Sequence, residues 1–219
     1  GTERIEKVYD GVATGAVVTV HMLQPATVRH CGVVATSATL PDNANWSVGP
    51  PQFTEAGNYT VWYEITADYY NAYTGRVDVA IAKRPITLKS PTKTKPYDGT
   101  ALTFGADEID IGGDGYADGE SFLFDNCASI TDAGRVDATF DCAAGANTDL
   151  DNYEVSVIKG TLTVSASADE ITVTAKSGRW AFDAEAHILH ECDVVNGDVL
   201  QQGDELVVEY DPASAVTTP

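Results

Sequence analysis

Hydrophobic and polar positions alternate along this chain in short runs, which is the pattern of half-buried β-strands. From Tyr59 to Thr66 the odd-numbered residues are apolar or aromatic, and the even-numbered ones are polar apart from Trp62. A period of two places Tyr59, Val61 and Tyr63 on the buried face of a sheet and Trp62 on the exposed face. Helical periodicity is almost absent, so the pattern predicts an all-β protein.

The same alternation returns from Val136 to Cys142, where the even-numbered residues form the predicted inward set. The three residues before it, 132–134, read Asp-Ala-Gly and align with Glu-Ala-Gly at 55–57, just before the first run. Closing strands are expected at 76–81 and 160–164. Each leads directly into the first strand of the next segment, so the linkers between segments are predicted to be short.

A Tyr-Asp-Gly triplet occurs twice in matching surroundings, at 9–11 and 97–99, and a weaker echo, Phe-Asp-Ala, follows at 182–184. Glycine tolerates the positive φ of a tight turn, and aspartate can accept a hydrogen bond from the backbone beyond it. We predict such a turn at each triplet, with the tyrosine ring capping the core and its hydroxyl reaching water. Recurrence at nearly the same interval predicts an array of modules.

The repeats divide the chain into three predicted modules and two linkers, namely modules at 1–83, 84–166 and 167–219, the last one partial, and linkers at 82–84 and 165–169. Strand-rich modules of this size with frequent turns are typical of a small immunoglobulin-like β-sandwich. The alternative is a β-grasp fold, which needs one amphipathic helix across its sheet. The candidate for that helix, 105–115, is rich in glycine and aspartate, so tandem sandwiches are the predicted fold.

Taken together, these segments resemble the YDG/MBG-type modules that recur in long surface proteins of Gram-positive bacteria. The resemblance rests on the triplets and on further segments at 54–63, 71–81, 152–153 and 159–164. It implies a secreted, wall-associated stalk or adhesive array, and the family name suggests mucin as a ligand. The third module departs from the pattern, with Phe-Asp-Ala for the triplet and no closing Gly-Thr-Leu-Thr-Val strand, so we expect the chain to be a fragment of a longer protein.

Charge narrows the choice of partners. Only 13 basic residues stand against 33 acidic ones, giving a formal net charge of −20. Nucleic acids and anionic lipids are therefore poor partners, because they are bound through clustered lysine and arginine. No run of 18 apolar residues occurs, so no membrane insertion of this fragment is expected. Strong acidity suits an extended and soluble surface protein, which we expect to be monomeric within its parent chain.

The four cysteines match no zinc ribbon and no Cys-x-x-Cys redox motif. Cys127 and Cys142 share a predicted module, and a disulfide between them would close a loop of about 15 residues, worth roughly 3 kcal/mol. The alternative is a pair of buried free thiols. Cys31 and Cys192 fall in different modules, so both are expected to be free and partly buried.

Acidic residues are densest between 107 and 120, where Asp110, Asp114, Asp118 and Glu120 could supply oxygen ligands to calcium. The segment lacks the spacing of an EF-hand, and it also reads as a solvated turn before a strand. We therefore expect no cofactor, with calcium as the alternative. A second acidic patch lies at 147–152.

A histidine- and cysteine-rich segment follows in the third module. His187, His190 and Cys192 are of zinc-binding types, but they would point to opposite faces of a strand, which argues against a metal site.

Aromatic side chains concentrate in the first module. They are Trp46, Trp62, Tyr69, Tyr70 and Tyr73. Solvent-facing rings of this kind can stack on sugars or anchor a protein partner, and the alternative is that half of them line the core.

No sequence motif for a catalytic nucleophile, a phosphate-binding loop or a zinc protease occurs, so enzymatic activity is not expected. The predicted function is that of a semi-rigid stalk or spacer in adhesion, within an exported surface protein. The alternative is direct binding of mucin glycans or a host surface protein through the aromatic residues of the first module.

Overall fold

The computed structural model describes residues 3–22, 24–34, 39–185, 187, 189, 191–196, 200–201 and 203–209. These residues form an all-β protein without an α-helix, which confirms the predicted class. The described residues also contain no helix with the length and apolar character that a membrane crossing requires. The strands are β1 (Glu3–Val8), β2 (Ala26–Val34), β3 (Gly57–Ala67), β4 (Tyr73–Ala82), β5 (Arg84–Lys89), β6 (Lys93–Pro96), β7 (Leu102–Thr103), β8 (Asp110–Gly113), β9 (Phe122–Asp125), β10 (Ser129–Ile130), β11 (Gly134–Asp137), β12 (Asp141–Ala144), β13 (Tyr153–Ile158), β14 (Thr161–Ser165), β15 (Val173–Ala175) and β16 (Cys192–Val194).

Contacts group the described residues into two compact units. Unit one contains those of 1–91, 104–127 and 138–160, and unit two contains those of 92–103, 128–137 and 161–219. The linker predicted at 82–84 therefore lies inside unit one. The division into three sequence modules stays a prediction.

Unit one is built on three sheets, and parallel pairing is prominent in it. The four-stranded sheet has the order β1-β4-β3-β2, in which β1 runs parallel to β4 and the other pairs are antiparallel. A three-stranded sheet has the order β13-β5-β8, in which β13 runs parallel to β5. Strands β9 and β12 form a third, antiparallel pair. The first strand of each larger sheet thus lies beside a strand that comes much later in the chain.

The core of unit one is centred on β3, β4 and β5, whose largest fully buried side chains are Val61, Val79, Ile86 and Leu88. The inward placement of Tyr59 and Val61 is confirmed. The outward placement of Trp62 is wrong, because only 9% of this residue is exposed. Strand β3 lies between two hydrogen-bonded neighbours, and its central residues are buried on both faces of the sheet.

Unit two contains the sheets β11-β14-β6, β10-β7 and β15-β16. Strand β14 runs parallel to β6 and antiparallel to β11, and it buries Leu162 and Val164.

The alternation predicted between Val136 and Cys142 is confirmed by burial. The even-numbered residues are buried or half-buried and the odd-numbered ones are exposed. The run is split, however, because β11 ends at Asp137 and β12 begins at Asp141.

Both Tyr-Asp-Gly triplets form the predicted turn. In the first, Asp10 Oδ1 accepts a hydrogen bond from the backbone N of Val12 at 2.9 Å, and Gly11 has a φ of +74°. Lys7 Nζ completes the turn by binding Asp10 Oδ1 at 2.5 Å and the carbonyl oxygen of Val12 at 2.8 Å. A lysine three residues before the aspartate is therefore part of the motif.

The second triplet repeats these contacts. Asp98 Oδ1 accepts from the backbone N of Thr100 at 3.0 Å and from Lys95 Nζ at 2.6 Å, and Gly99 has a φ of +72°. The hydrogen bond from Lys95, followed by those from Thr100, lowers the pKa of the Asp98 carboxyl to about 2.

The echo at 182–184 keeps the turn with different residues. Asp183 Oδ1 accepts from the backbone N of Glu185 at 3.0 Å, and Ala184 has a φ of +64°. His187 Nε2 lies 2.8 Å from Asp183 Oδ1, where the other two turns have a lysine. The predicted turn is confirmed here as well.

Substitution of Gly11 by alanine tests whether this turn requires a residue that tolerates positive φ. A Cβ at Gly11 would meet Ala117 Cβ at 3.7 Å, which is ordinary contact, so the cost comes from the positive φ alone. We expect a loss of about 1–2 kcal/mol in the free energy of unfolding, measured by urea denaturation. Gly49→Ala is the control, because Gly49 has no neighbour within 4 Å of its added Cβ and no positive φ. Equal stability of the two variants would contradict this explanation.

Candidate functional site

A cluster of polar side chains in unit one joins residues 1–83 to the strands that follow them. Tyr9 comes directly after β1, and its backbone N donates to the carbonyl oxygen of Ala82 at 2.8 Å. Its buried ring places the hydroxyl against Glu120 Oε1, to which it donates a hydrogen bond. The Tyr153 hydroxyl donates to the other oxygen, Oε2, at 2.6 Å. One carboxylate therefore bridges two tyrosines that are distant in the sequence, and we call these three residues the tyrosine–carboxylate joint.

The environment keeps both joint tyrosines protonated. Burial, followed by the hydrogen bond to Glu120, raises the pKa of Tyr153 to about 12 and that of Tyr9 even further. The two rings meet edge to face with 5.8 Å between their centroids, and Tyr153 also packs against Phe122 at 5.1 Å. A phenol held this firmly in its neutral form is a structural hydrogen-bond donor. The predicted exposure of the Tyr9 hydroxyl to water is wrong, because Tyr9 is buried and its hydroxyl donates a hydrogen bond to Glu120.

Arg84 fixes the linker itself. Its Nε donates to the carbonyl oxygen of Gly115 at 2.8 Å, its Nη1 to that of Tyr9 at 3.2 Å, and its Nη2 to that of Asp114. A single guanidinium thus ties the turn after β1 to the turn after β8. Because hydrogen bonds from a charged donor are stronger than neutral ones, this clamp restrains the linker that the sequence places at 82–84.

A second polar pair supports the joint from the side. The backbone N of Ala56 donates to Asn152 Oδ1 at 2.7 Å, and Asn152 Nδ2 donates to Glu55 Oε2. Asn152 is buried at the end of the short 3-10 helix Leu150–Asn152 and directly precedes Tyr153. The hydrogen bonds of the Asn152 amide therefore fix the start of β13, and with it the position of the Tyr153 ring in the joint.

Of the predicted calcium ligands, Asp110, Asp114 and Asp118 are exposed, and Glu120 is occupied by the two tyrosine hydroxyls. Among the described residues, no group of three or more histidine, cysteine or carboxylate side chains could hold a metal ion. The structure does not bring the four acidic residues together as a ligand set.

All four cysteines are free thiols in this structure, with Cys31 buried and Cys127, Cys142 and Cys192 half-buried. Burial raises the pKa of the Cys127 and Cys142 thiols, which keeps both protonated near neutral pH. The disulfide between Cys127 and Cys142 is not formed here, and that pairing stays a prediction.

The predicted aromatic residues separate into two groups. Tyr69 is 99% exposed, and Tyr70 and Tyr73 are also exposed, all at or near the turn between β3 and β4. We call these three the hairpin tyrosines. By contrast, Trp62 is buried with the Arg76 guanidinium 5.8 Å from its ring centroid, and Trp46 is half-buried under Arg29 at 5.7 Å. A recognition surface in this region can therefore use the hairpin tyrosines but not Trp62.

An open cavity of about 660 Å³ borders the first Tyr-Asp-Gly turn in unit one. Its lining includes the small residues Ala80 and Ala82 and charged residues of both signs, Arg4, Glu6 and Lys83. This lining contains no serine, cysteine or histidine, and so it lacks a nucleophile paired with a base.

No protein-family model matches this chain, and no curated protein sequence matches it either. The resemblance to YDG/MBG-type modules therefore stays a prediction.

Proposed function

We propose that this chain is a non-enzymatic, semi-rigid stalk or spacer within an exported bacterial surface protein. The observation that carries the proposal is the parallel pairing of early strands with late ones. In unit one β1 pairs with β4 and β5 with β13, over six register positions each. In unit two β6 pairs with β14 over four positions.

Parallel pairing of this kind suits a protein under tension. When a chain is pulled from both ends, force enters each early strand at its start and leaves each late strand at its end. For parallel neighbours these two forces oppose each other along the strand direction, so the inter-strand hydrogen bonds are sheared together. Antiparallel strands joined by a hairpin would instead open one bond at a time. The architecture is therefore suited to transmitting load.

The tyrosine–carboxylate joint and the Arg84 clamp support the semi-rigid part of the proposal. Both act across the predicted linker, where an unconstrained chain would allow adjacent modules to swivel. The strong negative charge also fits an extended and soluble surface protein without nucleic-acid partners. For the finer fold we propose immunoglobulin-like sandwiches over β-grasp modules, because the described residues contain no α-helix.

Distance measurements across the joint test the rigidity. Spin labels introduced as non-natural amino acids at the exposed residues Thr74 and Asp141 would avoid the native cysteines. Pulsed electron resonance should give a single narrow distance distribution in the parent chain and a broader one when Arg84 is replaced by alanine. A broad distribution in the parent chain would count against a semi-rigid spacer.

The second candidate function is direct binding of mucin glycans or a host surface protein. It is favoured by one observation, the three hairpin tyrosines exposed at or next to the turn between β3 and β4. Exposed tyrosines are common anchors in protein interfaces and can stack on sugar rings. Calcium dependence of such binding is tested by comparing calcium with EDTA on a glycan and mucin array.

The double variant Tyr69→Ala/Tyr70→Ala separates the two functions. Both side chains are exposed, so we expect the free energy of unfolding to change by less than about 1 kcal/mol. A spacer should behave on the array as the parent chain does, whereas a binding module should lose its ligand. Trp62→Ala is unsuitable for this purpose, because removal of a buried tryptophan would destabilise the fold by about 3–5 kcal/mol. Array binding that survives the double variant would remove the hairpin tyrosines as the binding surface.

A further inference from the structure

Unit two contains a second tyrosine–carboxylate pair with the geometry of the first. The backbone N of Tyr97, in the second triplet, donates to the carbonyl oxygen of Ser165 at 2.8 Å, as Tyr9 does to Ala82. The Tyr97 hydroxyl donates to Asp204 Oδ1 at 3.0 Å. This bond is the main cause of the raised pKa of Tyr97.

The two carboxylates occupy the same position in the same kind of turn. Glu120 N donates to the carbonyl oxygen of Ala117 at 3.1 Å, and Asp204 N donates to that of Gln201 at 3.0 Å. A glycine with positive φ precedes each carboxylate, with +77° at Gly119 and +102° at Gly203. Asp204 is therefore the counterpart of Glu120.

The second pair opens onto a cleft of about 360 Å³ lined by Tyr97, Asp132, Ala133, Ala166, Ser167 and Asp204. Asp132 and Ala133 align with Glu55 and Ala56, the two residues that bind Asn152 in unit one. The two residues that bind Asn152, and the carboxylate that accepts from Tyr153, thus each have a counterpart around this cleft.

The cleft differs from the first joint because no Asn-Tyr pair among the described residues binds its polar groups. In unit one Asn152 and Tyr153 bind these groups, and β13 then pairs with β5. In unit two, within the described ranges, the Asp132 side chain has no hydrogen-bond partner, and the Asp204 carboxylate has only the Tyr97 hydroxyl.

Strand β15 of unit two is likewise paired on one side only. Strand β15 pairs with β16 through Val173 opposite Val194, as β5 pairs with β8 through Ile86 opposite Gly113. No strand among the described residues takes the side of β15 that corresponds to β13. Ile171 lies two residues before Val173, as Arg84 lies two residues before Ile86, and it cannot supply the arginine clamp.

We propose that the cleft of unit two is a docking site for an extended segment of a partner polypeptide that begins with an Asn-Tyr pair, the chemistry that fills the corresponding place in unit one. The incoming tyrosine hydroxyl donates to the free oxygen of Asp204. The incoming asparagine donates its amide to Asp132 and accepts from the backbone N of Ala133. The rest of the strand extends along the unpaired side of β15. This binding role is separate from the spacer role, because it needs no tension and no particular linker stiffness.

Fluorescence anisotropy with a labelled peptide of residues 150–159 tests the proposal on the whole 219-residue chain. We expect saturable binding that weakens about tenfold or more with the chain variant Asp204→Asn, because a hydrogen bond to a charged acceptor is lost. The matched control is Glu205→Gln, the neighbouring exposed carboxylate, which should bind as the parent does. Peptides carrying Asn152→Ala or Tyr153→Phe should weaken similarly, and they leave the folding of the chain untouched.

Three results would overturn the proposal. They are an absence of saturable binding, equal affinity for the parent and variant peptides, and weakening by Glu120→Gln instead of Asp204→Asn. The last result would mean that the peptide displaces β13 from the first joint. The anisotropy assay measures peptide affinity and not stiffness, so an absence of binding would leave the spacer proposal unaffected. A broad spin-label distance distribution would contradict the spacer proposal and leave the docking proposal unaffected.

Discussion

Replacing Leu88 with alanine is expected to lower the free energy of unfolding by about 2–5 kcal/mol. Leu88 is 0% exposed on β5, the central strand of the β13-β5-β8 sheet, so its truncation leaves a cavity between packed elements. Urea denaturation with a shared slope for parent and variant gives the difference directly.

Leu123→Ala is the control for that measurement, because it removes the same atoms from a residue that is 60% exposed. It should cost less than about 1 kcal/mol. If both variants were equally unstable, β5 would not be the centre of the core.

Replacing Glu120 with alanine is expected to cost about 2–3 kcal/mol, because two hydrogen bonds to one partly exposed carboxylate are lost together. The loss also leaves the buried Tyr9 hydroxyl without its acceptor. The effect is read from the midpoint of urea denaturation, with Tyr9→Phe and Tyr153→Phe as variants that each remove one hydrogen bond to Glu120. Tyr153→Phe also removes the acceptor of the Ala117 N–H, which lies 2.9 Å from the Tyr153 hydroxyl. Their individual losses should exceed the Glu120→Ala loss when summed, since the three residues act as one network.

Asp118→Ala is the matched control for the joint. Asp118 lies two residues away in the same turn, is exposed, and has no hydrogen-bond partner among the described residues. Its removal should leave the unfolding midpoint nearly unchanged. A Glu120→Ala variant as stable as Asp118→Ala would show that the joint contributes nothing to stability.

Local features of the structure were predictable from the sequence. The alternation in β3 is a local pattern, and it predicts the all-β class. The turns at 9–11 and 97–99 also depend only on neighbouring residues, so the aspartate–glycine pairs predict them. The outward prediction for Trp62 is wrong because the alternation rule assumes a strand with one face exposed to solvent. The burial of both faces of β3 depends on distant segments, which no local period reports.

The joint could not be found by pattern alone. Tyr9 and Glu120 are separated by 111 positions, and the bond between them exists only in the folded unit. The sequence groups Glu120 with its acidic neighbours, because composition shows how dense the charges are and not which way each side chain points. The available signal was repetition, since a glycine followed by an acid recurs at Gly119-Glu120 and Gly203-Asp204.

Parallel strand pairs, a clamped linker and a carboxylate shared between two tyrosines together define a mechanical interpretation of this chain. Each feature connects residues far apart in the sequence and thereby resists extension or swivelling. None of them involves an activated nucleophile or a metal ligand set within the described residues. The proposed spacer role would account for all three with one physical requirement, which is resistance to load.

Single-molecule stretching of the chain between its two ends tests that requirement most directly. If the parallel strands bear load, the parent chain shows a high-force unfolding event, and this event disappears or falls to a much lower force in Ile5→Pro, which removes an amide from the β1–β4 ladder. If the parent chain instead extends at low force, with no difference from Ile5→Pro, the parallel strands do not bear load and the spacer proposal is contradicted.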